Sequence, residues 1–146
     1  MFKAVAKFAA GLCAVAFILT AAPVLAADIY WHESYSDALG VSKDEKKPLM
    51  VVFTADWCVF CKKLENQTFT DPGVAKLVNS KFIAVKIDKD KNGQIAKDFG
   101  VQGIPDIFFL TPFDMEKGVE VIARQLGFIQ AGDLLKGMKQ ISAMYE

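Results

Sequence analysis

The chain has 146 residues, 17 basic and 17 acidic side chains, 53% hydrophobic and 12% aromatic residues, enough apolar content for one packed domain. Its balanced charge excludes nucleic acid as a main partner, because phosphate binding needs a clustered basic face. Three cysteines are too few to staple a scaffold, and a single histidine argues against sites built from several.

The first element is a leader. Lys3 and Lys7 form a short basic start, Phe8 to Ala22 is uncharged and apolar, Pro23 ends the run, and Val24-Leu25-Ala26-Ala27 supplies small residues. This layout predicts a secretory signal peptide over residues 1–27, cleaved after Ala26 or Ala27. The competing reading is an uncleaved anchor, since the uncharged stretch is just long enough to span a bilayer. Cys13, with bulky Leu12 before it, reads as a passenger of the leader. Removing the leader takes away two lysines and no acid, so residues 28–146 form a mildly acidic domain.

Strands and helices then alternate. Tyr35, Ala38, Leu39 and Val41 have helical spacing within Ser34 to Lys47, with Ser34 or Ser36 as the cap. Leu49 to Phe53 is a continuous apolar run suited to a strand covered on both faces. A short turn, Thr54-Ala55-Asp56, leads into a helix from Trp57 to Gln67. Thr70-Asp71-Pro72 signals a second helix start, with an apolar stripe at Val74, Leu77 and Val78. Phe82 to Ile87 is a second strand, Asn92 to Phe99 a short helix stopped by Gly100, and Asp106 to Leu110 a third strand. Turn residues around Pro112 to Gly118 predict a hairpin to a fourth strand over Val119 to Gln125. Gly127 breaks it, and Asp133 to Tyr145 closes the chain as an amphipathic helix. The expected class is α/β, a mixed central sheet with helices on both faces.

The chemistry concentrates at Trp57-Cys58-Val59-Phe60-Cys61. A strand leads in and a helix leads out, so Cys58 falls at a helix N-terminus, where unpaired N–H groups and the helix dipole stabilise a thiolate. A thiolate is the attacking species in disulfide exchange, and Cys61, one turn later, can resolve a mixed disulfide. Three blander readings remain: a structural disulfide, half of a metal site, and two core cysteines. The short loop gains little closure entropy, and no second ligand pair exists for zinc. Gly103-Ile104-Pro105-Asp106 precedes the third strand; a cis proline there would turn the Ile104 backbone outward to pair with an extended partner chain. An ordinary trans proline at a strand start is the alternative. Asp88-Lys89-Asp90-Lys91-Asn92 lacks the spaced acids of a calcium loop and reads as a solvated turn, while His32 reads as a surface or packing residue.

Ala55-Asp56-Trp57-Cys58-Val59-Phe60-Cys61-Lys62, together with Gly103-Ile104-Pro105 and Gly127, resembles the thioredoxin superfamily. Thr68-Phe69-Thr70-Asp71-Pro72 narrows the likeness to secreted thioredoxin-like domains such as the C-terminal domain of the thiol:disulfide interchange protein DsbD. The resemblance implies a thioredoxin fold, a nucleophilic Cys58, a resolving Cys61 and a cis Pro105 beside them. It also implies a docking surface of Trp57, Val59, Phe60, Ile104, Pro105, Gly127 and Phe128, an exposed apolar patch that protein partners require. The chain departs from the family where the buried acid six residues before the first cysteine is usual; Val52 stands there. The lysine that accompanies that acid aligns with Ala84, and Asp106 replaces a frequent Thr, which bears on partner choice.

The implied function is a periplasmic thiol–disulfide oxidoreductase, more as reductant than oxidant. Its partners are protein disulfides or dithiols and a membrane electron donor of the DsbD type. It is expected to be monomeric and to need neither cofactor nor metal. The alternatives are a disulfide oxidase or isomerase, and a binding module whose disulfide is passive or regulatory.

Overall fold

A computed structural model describes residues 28–145. The leader assigned to 1–27, its cleavage site and Cys13 lie outside the described residues. Within them the order is β1 (Trp31–His32), α1 (Tyr35–Glu45), β2 (Leu49–Thr54), α2 (Val59–Gln67), α3 (Pro72–Lys81), β3 (Ile83–Asp88), α4 (Gly93–Asp98), β4 (Asp106–Leu110), β5 (Val121–Leu126) and α5 (Ala131–Ser142), with a 3-10 turn over Ala143–Tyr145. No helix among the described residues is long and apolar enough to cross a membrane.

The strands form one five-stranded sheet in the order β1-β3-β2-β4-β5. β1, β3 and β2 run parallel, while β4 is antiparallel to both β2 and β5. The apolar run at Leu49–Phe53 is buried throughout because β2 lies in the middle of the sheet with a layer on each side. Met50, Val52, Ala84, Ile107 and Phe109 face α2, α3 and α5 through Leu64, Val78 and Met138. Leu49, Val51, Phe53, Val85, Phe108 and Leu110 face α1 and α4 through Ala38 and Ala96. Alternation along each strand therefore divides the core into two layers.

Local signals set most boundaries. Ser34 Oγ accepts from Asp37 N at 3.1 Å, so Ser34 rather than Ser36 caps α1. Asp71 Oδ1 accepts from Gly73 N and Val74 N at 2.9 and 3.0 Å, and Pro72 occupies the first turn of α3, where its missing N–H costs nothing. Gly100 closes α4 with φ +64°, and Gly127 ends β5 with φ +84°. Two differences from the sequence reading matter. β1 is unforeseen, because two residues carry no periodicity and it exists only through pairing with Ala84 and Val85. The β3 neighbour of Val52 is Lys86, not Ala84, which pairs with Met50. A lysine does stand beside the position that has lost its acid; it turns to the surface, where its Nζ meets Glu65 Oε1 at 3.1 Å.

Replacing Asp71 with Ala leaves the first N–H groups of α3 without their cap. The expected cost is about 1 kcal/mol of unfolding free energy in urea titrations, with the denaturant slope unchanged.

Candidate redox site

β2 delivers the chain to the site. After Thr54 a tight turn closes with Cys58 N donating to Ala55 O at 3.1 Å, and Cys58 becomes the N-cap of α2. Its Sγ accepts from Cys61 N at 3.1 Å. A sulfur thus occupies the position where a capping oxygen would sit, facing the unpaired N–H end of the helix. Cys58 and Cys61 form a disulfide, with Cα atoms 5.2 Å apart.

Burial is tighter than the sequence suggests. Cys58 keeps 4% of its exposure and Cys61 2%, in a cluster with Ala55 against which half-buried Ile104 packs. Around this covered pair the surface is apolar: Trp57 is 64% exposed, Phe60 60%, and Val59 and Leu126 are also exposed. Leu126, at the end of β5, was not among the sequence candidates. It lies in register with Asp106, a register that the predicted hairpin did not by itself specify.

The Ile104–Pro105 peptide bond is cis. Pro105 is buried, and its carbonyl accepts from Gly127 N at 2.7 Å, so this pair fastens the start of β4 to the end of β5. Phe128 is half-buried against the α3/α5 core layer, with Lys63 Nζ 4.3 Å from its ring centroid. Asp106 is fully buried and bound by Arg124, so its carboxylate does not face a partner.

The 88–92 loop is a turn, exposed over Asp90, Lys91 and Asn92, and it is tied to the site. Asp88 Oδ1 accepts from the backbone N–H groups of Asp90 and Lys91 at 2.9 and 3.1 Å, folding the loop back. From there Asp90 Oδ2 accepts from Trp57 Nε1 at 2.7 Å, and Lys91 Nζ meets Asp56 Oδ2 at 3.2 Å. Lys89 N donates to Thr54 O at 2.9 Å. Three loop residues therefore brace the turn before Cys58, through contacts 33 to 35 residues apart that composition does not reveal. The Lys91 backbone N–H is the chief influence holding the Asp88 carboxyl below its ordinary value. Hydrogen bonds to Asp56 and then Asp88 raise the Lys91 ammonium. Among the described residues no group of three or more His, Cys, Asp or Glu is placed to hold a metal ion. His32 Nδ1 lies 2.9 Å from Asp37 Oδ2, at the sheet edge.

A strand, a Cys-x-x-Cys at a helix N-terminus and a cis proline heading a neighbouring strand together define a thioredoxin-fold protein. Comparison with known proteins agrees. The Thioredoxin-like family model matches residues 30–112, and the chain belongs to that family. It is 35% identical over 114 residues to the thiol:disulfide interchange protein DsbD of Vibrio vulnificus (strain CMCP6), a match covering 75% of this chain and 18% of that protein. The chain thus spans less than a fifth of that relative's length. A thioredoxin from Thermus thermophilus superposes with a TM-score of 0.70 at 24% identity, covering 78% of this chain and 87% of that one. The DsbD C-terminal domain of Neisseria meningitidis in its reduced form gives a TM-score of 0.58 at 24% identity, covering 72% of this chain and 91% of that one.

Because its folded-state value is depressed, the Asp88 carboxylate contributes stability above its unfolded value, and that contribution is lost as pH falls through the lower folded value. Wild type should therefore exceed Asp88→Ala in stability at pH 7, and the gap should close below about pH 4 in denaturant titrations run as a pH series.

Proposed function

We propose that this protein is a thiol–disulfide oxidoreductase that reduces protein disulfides in the periplasm. The observation that carries the reading is Cys58 Sγ at the N-cap of α2, accepting from Cys61 N and joined to Cys61. In the reduced protein the same N–H end favours the Cys58 thiolate over the thiol. That thiolate attacks one sulfur of a partner disulfide; the partner's S–S bond breaks, and its other sulfur leaves as a thiolate that takes up a proton. Cys61, after losing its proton, attacks Cys58 Sγ, which forms the Cys58–Cys61 bond and releases the second partner thiol. Two electrons pass to the partner, and two electrons and two protons from a donor dithiol, itself oxidised to a disulfide, restore the Cys58/Cys61 dithiol.

Trp57, Val59, Phe60, Ile104 and Leu126 supply the apolar docking surface with Phe128 beside it, and buried Pro105 is fastened to half-buried Gly127 beneath. A membrane electron donor of the DsbD type recharges the pair, and the protein works as a monomer. Its leader, residues 1–27, is removed after Ala26 or Ala27, or else tethers the domain to the membrane. The likeness to thiol:disulfide interchange relatives supports the exchange chemistry.

The burial of Cys58 favours a second reading, a binding module with a passive disulfide. Insulin reduction separates the two. Wild type is expected to accelerate it well above the dithiothreitol background and Cys58→Ser to abolish the acceleration; equal background rates for both would leave the binding module. A midpoint potential near about −270 mV fits a reductant, and one near about −120 mV an oxidant. Cys61→Ala, expressed with its leader, should accumulate partners disulfide-linked to Cys58.

A further inference from the structure

Gln102, Gly103 and Ile104 lead into the cis proline, and Ile104 packs against the cysteines. Among the described residues, no backbone hydrogen bond reaches any of the three. Their placement therefore depends on the ends of the segment. At one end Gly100 N donates to Lys97 O at 3.0 Å and Val101 N to Ala96 O at 2.9 Å, closing α4. At the other, Asp106 opens β4 with its carboxylate fully buried.

One side chain on β5 reaches both ends. Arg124 Nε donates to Asp106 Oδ1 at 3.0 Å, and its Nη2 donates to Asp106 Oδ2 at 2.6 Å. The same Nη2 lies 3.3 Å from Gly100 O. The guanidinium also stacks 4.7 Å from the Phe108 ring centroid, and Phe108 packs on Phe99 at the end of α4 at 5.1 Å. A buried carboxylate needs such a partner, and only the planar fork of Arg supplies two parallel bonds with a donor left for a third acceptor. Ile104, carried between these ends, packs on Ala55, Cys58 and Cys61.

We propose that Arg124, seated on buried Asp106, is a positioning residue that holds the Gly100–Pro105 segment against the Cys58–Cys61 pair. The inference rests on the oxidoreductase reading and deepens it. With the segment held, Ile104 screens the sulfurs from small thiols and offers its bare backbone to a protein substrate in one fixed place. Asp106, next to the proline, acts on partner selection from beneath the surface rather than by touching the partner.

Two rates test this. One is the reduction of the oxidised protein by dithiothreitol; the other is single-turnover oxidation of the pre-reduced protein by insulin. Both are read by acid quench, alkylation and mass analysis. Arg124→Lys keeps a charge beside Asp106 but loses the fork. The double variant Asp106→Leu/Arg124→Leu leaves no buried charge unpaired, which keeps a folded variant in hand, verified by circular dichroism melts. In a folded variant the ratio of the insulin rate constant to the dithiothreitol rate constant should fall at least fivefold, through weaker insulin binding and faster small-thiol attack. A smaller fall, including a parallel loss of both rates, overturns the proposal. Wild type that is neither reduced by dithiothreitol nor, once reduced, oxidised by insulin overturns the oxidoreductase reading itself, and this inference with it.

Discussion

The site depends on one substitution of atom for atom: a sulfur where a helix cap would ordinarily place oxygen. The Cys61 N–H pointing at Cys58 Sγ is both a structural cap and a chemical bias. It exists because β2 is buried on both faces and cannot shift, so the turn after it begins at a fixed point. The backbone bond from Cys58 N to Ala55 O then fixes where α2 starts. A displacement of β2 by one residue would exchange its two core layers and move the sulfur off the helix end.

Charge is placed around this centre, not within it. Val52 keeps its layer of the core apolar, and Lys86 beside it carries its ammonium out to Glu65. A lone buried ammonium would be costly, so the lysine's surface pairing is the expected companion of a missing acid. On the opposite layer a buried acid is kept, and it is fully paired. The 88–92 loop adds a third arrangement, exposed charges that hold a turn in place and contribute little as individual ion pairs.

The sequence made legible whatever is local. The buried run of β2, the cap at Asp71, the stop at Gly100 and the hairpin of β4 and β5 each rest on residues near one another, and each is found where the pattern places it within a residue or two. What stayed hidden is non-local. β1 has meaning only beside β3, Lys86 only through the register of two strands, and Arg124 only once β5 lies against β4. The resemblance to thioredoxins pointed to the cysteines and Pro105 but not to the burial of Cys58, because accessibility is decided by Ile104, which arrives from another part of the chain.

The shortness of β1 carries a consequence for self-association. A sheet's outermost strand offers its free N–H and C=O groups to any extended neighbour, and a long one invites fibre-like stacking. At the β1 edge, one of the sheet's two rims, that strand is only two residues, Trp31 and His32, closed on one side by Tyr30 N bound to Asn79 and on the other by the Ser34 cap. A foreign strand approaching from that flank finds almost no ladder to join.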